Sequence, residues 1–194
     1  MRAIIFDLDD TLYDNKDLRI AREKAILDFL GNKKWKYKEL KENYSTLESL
    51  KRLGFEKSHF FRLMDKIPIT LEKDPRLIKM FKKLKERFKM IVLSNVSAFC
   101  VEETLRRLGI LEMVNEYYSG EDFKNQKPAK ECFCIVKRGD ICVGNNFKKD
   151  LEVPKQKGAI TILVGEEEQN ADFRIDNIYE LESVLKYMEL SNFQ

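Results

Sequence analysis

Apolar residues in this chain follow two rhythms. Four short continuous runs end abruptly at a polar residue or a glycine: Arg2-Ala3-Ile4-Ile5-Phe6 at Asp7, Met90-Ile91-Val92-Leu93 at Ser94, Ile141-Cys142-Val143 at Gly144, and Ala159-Ile160-Thr161-Ile162-Leu163-Val164 at Gly165. Runs of this length without alternation predict strands buried on both faces, as in a parallel sheet. Between them, apolar residues recur every three or four positions. Leu77, Met80, Phe81 and Leu84 make one such stripe, and Val101, Thr104, Leu105 and Leu108 make another that halts at Gly109. Strands alternating with helices predict an α/β fold built on a doubly wound parallel sheet.

Residues 14 to about 73 break the alternation. Leu18, Ala21, Ala25 and Phe29, then Leu40, Tyr44, Leu47 and Leu50, keep helical spacing with no strand-like run among them, which predicts a small helical insertion after the first strand. Its exit falls at Asp74-Pro75, where Asp suits a helix cap and Pro the first turn behind it. The expected organisation is therefore a core from residues 1–13 and 74–194 and a helical cap from 14–73. Charge follows the same division, with 15 basic and 10 acidic residues in the insertion, +5, and 21 basic and 23 acidic elsewhere, −2. The run Lys33, Lys34, Lys36, Lys38 and Lys41 reads as a basic lid over an acidic core or as ordinary solvated helix faces. Trp35, Tyr37 and Tyr44, at helical spacing, read as core aromatics in preference to a partner-binding patch.

With 194 residues, 43% apolar, the chain has material for one core domain and that insertion. No apolar run nears the roughly 18 residues that cross a bilayer, and the first run meets Asp7 too soon for a signal-peptide core, so a cytoplasmic protein with no membrane partner is expected. A net charge of +3, from 36 Lys and Arg against 33 Asp and Glu, is too mild to suggest nucleic acid. Cys100, Cys132, Cys134 and Cys142 lack a C-x-x-C pairing and read as buried free thiols. The single His59 excludes a histidine-rich zinc site and leaves carboxylates as the main candidates for chemistry.

Ligands of an open parallel sheet bind beyond the carboxyl ends of its strands. Those positions carry Asp7-Leu8-Asp9-Asp10-Thr11 after the first run, Ser94-Asn95 after the second, and Gly144-Asn145-Asn146 after the third, with Asp150 one helical turn on. Lys127, before Pro128, lies between the second and the third. Acids, a hydroxyl and a lysine gathered at one sheet edge describe a site for magnesium and phosphate. In this order the segments resemble the haloacid dehalogenase-like hydrolase superfamily over residues 1 to about 188. The resemblance rests on D-x-D-x-T behind an apolar strand, Leu93-Ser94-Asn95, Lys127-Pro128, and the Gly144 to Asp150 segment, with the helical insertion where that family carries its first-type cap. Ala171-Asp172-Phe173, a short strand and a helix around Leu181 and Leu185 resemble the family's ending.

The resemblance implies a Rossmann-like core, magnesium as cofactor, and phosphatase activity on a small phosphorylated metabolite. It makes Asp7 the nucleophile that forms an aspartyl-phosphate, and Asp9 the acid that protonates the leaving alcohol and then the base that takes a proton from water. Lys127 would neutralise the phosphoryl oxygens, Thr11, Ser94 and Asn95 would line the same group, and Asp7, Asp9, Asn145 and Asp150 would hold the metal. Thr11 is also expected to bond within its own loop and fix its shape. One position departs: where the family usually has G-D-x-x-x-x-D, Asn145 follows Gly144. An amide carbonyl still ligates magnesium, with one negative charge fewer around the ion. Two other readings stay open, a catalytically weak or inactive binding protein on the same fold and a phosphotransferase of the mutase type. Carbon–halogen cleavage is not expected, because the dehalogenase branch replaces the second acid and here Asp9 is present.

Overall fold

The computed structural model describes residues 1–165 and 170–191; the expected core span also contains 166–169 and 192–194, which lie outside the described residues. Six strands form one sheet: β1 (Ala3–Phe6), β2 (Lys89–Leu93), β3 (Glu116–Tyr118), β4 (Ile141–Gly144), β5 (Ile160–Val164) and β6 (Phe173–Ile175). Their order is β3-β2-β1-β4-β5-β6 and every pair is parallel, the α/β doubly wound arrangement that the buried runs predict. β1 is buried throughout and lies between β2 and β4, with Phe6 level with Val92 on one side and Val143 on the other. The chain runs from β1 outward to β2 and β3, then crosses back to β4, so the topological switch falls at the carboxyl end of β1. One residue beyond those aligned pairs come Asp7, Leu93 and Gly144.

β3 is a strand that the periodicity does not predict. It has three residues, all only half-buried, and begins with an acid, so it has no apolar run to betray it. It forms through main-chain pairing with β2, where Val92 aligns with Tyr117.

The chain divides into two compact units, Met1–Asp14 with Leu71–Gln194, and Asn15–Thr70. The second holds α1 (Lys16–Leu30), α2 (Lys34–Lys41), α3 (Thr46–Arg52) and α4 (Lys57–Met64). The Asn15 side chain caps α1 by accepting from the Leu18 N–H. Here the structure corrects the expected stripe: Leu18, Ile26 and Leu30 are buried, while Ala21 and Phe29 are exposed. Burying Ile26 and Leu30 removes more apolar surface from water than burying Ala21 and Ala25 would. The aromatics divide in the same way. Tyr37 is fully buried, but Trp35, two positions earlier and so on another side of α2, is 66% exposed, and Tyr44 is exposed beyond the helix end.

The first unit adds α5 (Pro75–Leu84), α6 (Ala98–Leu108), α7 (Glu152–Gln156) and α8 (Leu181–Leu190). Asp74 Oδ1 accepts from the N–H groups of Arg76 and Leu77 at 2.9 and 3.1 Å, and Pro75 opens α5, as the Asp-Pro pair predicts. Gly109 ends α6 in the left-handed region, φ 78°, where a side chain would be strained. Phe81 of α5 packs on Phe6 with ring centroids 5.2 Å apart, tying the central strand to its covering helix. Cys100, Cys132 and Cys142 are buried thiols, whereas Cys134 is exposed, which corrects the expectation for that residue. Among the described residues no helix is long and apolar enough to cross a membrane.

Candidate active site

Asp7 continues β1, and its N–H donates to the Val143 carbonyl at 2.8 Å, pinning the strand end against β4. The chain then turns back on itself. Leu12 N–H bonds the Leu8 carbonyl at 3.0 Å, Asp10 takes φ 59°, a left-handed conformation that Asp tolerates better than bulkier residues, and Asp9 and Tyr13 form an isolated bridge. Side chains four residues apart meet as a result. Thr11 Oγ1 donates to Asp7 Oδ2 at 2.9 Å, and the Tyr13 hydroxyl donates to Asp9 Oδ1.

Lys127 arrives from a distant loop and is aimed by Asn95. The Asn95 carbonyl oxygen Oδ1 accepts the Lys127 N–H at 2.8 Å, and Asn95 Nδ2 donates to the Lys127 carbonyl at 3.1 Å, so one amide grips the main chain on both sides of the lysine. Gln126 Nε2 donates to the Asn95 carbonyl at 2.6 Å and closes the clasp. The buried Lys127 Nζ then donates to Asp7 Oδ1 at 2.6 Å, Asp150 Oδ1 at 2.7 Å and the Leu93 carbonyl at 2.8 Å. Three ammonium protons thus meet three acceptors. Asp150 stands on a π-helical turn, Phe147–Leu151, and its Oδ2 accepts from the Asn146 N–H at 3.3 Å. Its approach to the sheet depends on Gly144, because a Cβ there would lie 2.6 Å from Asp150 Cβ.

Two carboxylates around one ammonium do not titrate alike. Burial by itself would raise Asp7, but the charge of Lys127, then that of Lys149, and hydrogen bonds from Lys127 and Thr11 outweigh it and hold the carboxyl below its ordinary value. For Asp150, burial and then the neighbouring Asp7 charge prevail over both lysines and push the carboxyl up. Asp7 therefore ionises more readily than Asp150, and the ionised state is the one that a carboxylate nucleophile requires. Lys149 is held charged above the usual lysine value, by Asp7 first, against the opposing effect of burial, with Asp150, Asp9 and Asp10 adding to it.

The structure brings Asp7, Thr11, Lys127 and Asp150 into one hydrogen-bonded cluster. Thr11 and Asn95, expected to line a phosphate, have their side chains on Asp7 and on the Lys127 main chain. Ser94 is buried at the end of β2, where its N–H bonds the Tyr118 carbonyl at 2.9 Å and its Oγ accepts from the Val96 N–H at 3.4 Å. Two contributors went unmarked in the sequence. Lys149 is one of a Lys148-Lys149 pair with nothing in the sequence to separate them, yet Lys148 is exposed and Lys149 half-buried among acids. Tyr13 does carry a signal, since it follows Asp9 by the same four residues that separate Thr11 from Asp7.

Among the described residues no three His, Cys, Asp or Glu side chains gather as a metal cage. Asn145 offers another kind of donor: its Oδ1 is buried and, among the described residues, has no hydrogen-bond partner. An acceptor left unmet in the interior is costly, and a hard cation such as magnesium takes neutral carbonyl oxygens. Asp7, Asp9 and Asn145 carry oxygen donors of the kind such an ion takes, while Asp150 faces Lys127 and the Asn146 N–H and braces the lysine.

Comparison with known proteins bears on the family and the fold. The model of the haloacid dehalogenase-like hydrolase family matches residues 4–138. Glyceraldehyde 3-phosphate phosphatase of Methanocaldococcus jannaschii is 27% identical over 226 aligned positions, covering 97% of this chain and 99% of that protein. Among solved structures, β-phosphoglucomutase of Clostridium difficile is similar with a TM-score of 0.75 at 17% identity, covering 100% of both chains. A magnesium-bound putative hydrolase of Bacillus subtilis gives a TM-score of 0.64 at 18% identity over 95% of this chain and 98% of that one. At these identities the structural likenesses speak for the fold.

Proposed function

The chain belongs to the haloacid dehalogenase-like hydrolase family, and we propose that within it the protein is a magnesium-dependent phosphatase that hydrolyses small phosphate monoesters through an aspartyl-phosphate on Asp7. The observation that carries this reading is the Lys127 ammonium bonded to both Asp7 and Asp150 beyond β1, which keeps the Asp7 carboxylate ionised. In the first step an Asp7 oxygen bonds to phosphorus as the bond to the leaving alcohol breaks, and Asp9 gives its proton to the departing oxygen. In the second, water attacks phosphorus, Asp9 takes the water proton, and the bond to Asp7 breaks to release phosphate. Lys127 orients Asp7 and balances its charge, while Ser94 and Lys149 supply a hydroxyl and a positive charge at the same sheet edge. Magnesium, held by Asp7, Asp9 and the Asn145 amide oxygen, would neutralise charge on the phosphoryl oxygens.

The relative that spans nearly the whole chain supports a choice of substrates to test. A phosphatase of glyceraldehyde 3-phosphate makes three-carbon phosphates the compounds to test first. Asn145 favours a second reading, a catalytically weak or inactive binding protein, because it removes a carboxylate from the metal's surroundings. Phosphate release measured across a panel of metabolite esters, with and without magnesium, separates the two. Magnesium-dependent release from a few small esters is the expected result, and no release from any ester at any magnesium concentration would favour the second reading.

A further inference from the structure

The loop behind β1 sets two hydroxyls on two carboxylates by the same step along the chain. Thr11 donates to Asp7 at 2.9 Å, and Tyr13, likewise four residues on, donates to Asp9 Oδ1. The second pair is held from beneath as well. The main chains of Asp9 and Tyr13 form a bridge, and Asp10 between them adopts the left-handed conformation that closes the turn, so the contact is built into the backbone.

We propose that Tyr13 is a positioning residue for the proton transfers of Asp9. Its hydroxyl fixes Oδ1 and with it the plane of the carboxyl group, and so the direction of the oxygen that delivers the proton to the leaving alcohol and later collects one from water. A carboxyl free to turn about its own side-chain bond presents that oxygen in the productive direction only part of the time, and misdirection of this kind lowers rate without lowering substrate binding. Thr11 serves Asp7 in the same manner, so the loop orients both carboxylates with its own hydroxyls. The inference rests on the reading of Asp9 as acid and base given above.

Tyr13→Phe removes the hydroxyl and keeps the half-buried ring, and circular dichroism with a thermal melt verifies that the variant folds. The parent, Tyr13→Phe and Asp9→Asn are compared on an alkyl phosphate, whose alcohol leaves poorly, and on 4-nitrophenyl phosphate, whose phenol leaves without help. In kcat/KM, which reports formation of the phosphoenzyme, Tyr13→Phe is expected to lose about tenfold on the alkyl ester and less than about twofold on the nitrophenyl ester, in the same direction as Asp9→Asn. A burst of nitrophenol followed by slowed turnover is expected from Tyr13→Phe, because the same carboxyl must also deprotonate water. Equal losses on both esters, or no loss on either, with Asp9→Asn still selective, would overturn the role of Tyr13 alone. If Asp9→Asn shows no selectivity, or the parent turns over neither ester, the reading of Asp9 fails and the role of Tyr13 fails with it.

Discussion

Behind β1, Asp7 and Asp9 each accept a hydrogen bond from a hydroxyl four residues later in the same loop; behind β4, the Asn145 side-chain oxygen is buried with no donor among the described residues. The two segments flank the same lysine, yet only the first is completed by the chain's own groups. The difference separates what this protein builds into its fold from what it leaves to a ligand. Asp7 and Asp9 are bonded by Thr11, Tyr13 and Lys127 within the chain itself, whereas a buried acceptor left unmet costs about 1–3 kcal/mol until something satisfies it. The β4 side contributes a brace, Asp150, made possible by the missing Cβ of Gly144, and one open acceptor beside it.

The largest effect should come from breaking the completed side at its proposed nucleophile. Asp7→Asn is expected to lower turnover by at least about 10³-fold, because an amide forms no acyl-phosphate. The fold should survive, since Lys127 keeps Asp150 and the Leu93 carbonyl. Phosphate release and circular dichroism check the two halves of this statement, and a variant that turns over at the parent rate would remove Asp7 from its role. Next in size is Lys127→Met, which strands two buried carboxylates around a methyl group. A loss of about 3–5 kcal/mol in urea unfolding is expected, the cost of leaving a buried charge without its partner. A loss below about 1 kcal/mol would mean that Asp7 and Asp150 find other compensation.

The placement of these groups was largely legible in the sequence, because an apolar run that stops at a polar residue or a glycine marks the end of a buried strand. Asp7, Ser94 and Gly144 could be set at one sheet edge on that ground alone. Individual hydrogen bonds were not legible, since Thr11 and Asn95 carry groups that could face a ligand or a neighbour and only packing decides between them. Lys149 escaped for a related reason: an irregular turn, Phe147–Leu151, sets which of two adjacent lysines points among the acids, and no periodicity encodes it. β3 escaped because Glu116, Tyr117 and Tyr118 pair through their main chains at half-buried positions. In α1, small alanines at helical spacing suggested a face that the larger Ile26 and Leu30 take instead.

A smaller effect should come from completing the unfinished side. Asn145→Asp adds a charge where the amide oxygen now stands, and a pair of unit charges at about 4 Å is worth roughly 4 kcal/mol at an effective dielectric of about 20, most of it offset by desolvation and by ligand waters. The magnesium concentration for half-maximal activity is expected to fall about tenfold, and the gain in melting temperature on adding magnesium, read without substrate, should rise in parallel. Superimposable titrations of parent and variant would take Asn145 out of the proposed metal site. Activity present only in the variant would establish the inactive reading instead.

The smallest effect concerns acid, and it sharpens the comparison within the cluster, since Asp7 and Asp150 share one ammonium but are displaced in opposite directions from the ordinary carboxylate value of 3.8. Asp7 is lowered, so its contribution to stability is present in full above 3.8 and is lost as pH falls through its folded value. Asp150 is raised, so its contribution is present below 3.8 and is lost as pH rises through its folded value. Unfolding free energies measured by urea between about pH 2 and pH 8 should therefore separate the two single variants by slope. The deficit of Asp7→Asn relative to the parent should shrink on acidification below 3.8, because the parent is losing what the variant never had. The deficit of Asp150→Asn should shrink in the other direction, as pH rises above 3.8, because there the unfolded parent gives up a proton that the folded parent still holds, a penalty the amide does not carry. Neither slope can exceed about 1.4 kcal/mol per pH unit for one proton. If both deficits moved the same way with pH, the assignment of Asp7 as the ionised partner of Lys127 would have to be reversed or abandoned, and with it the argument that this carboxylate is ready to attack at neutral pH.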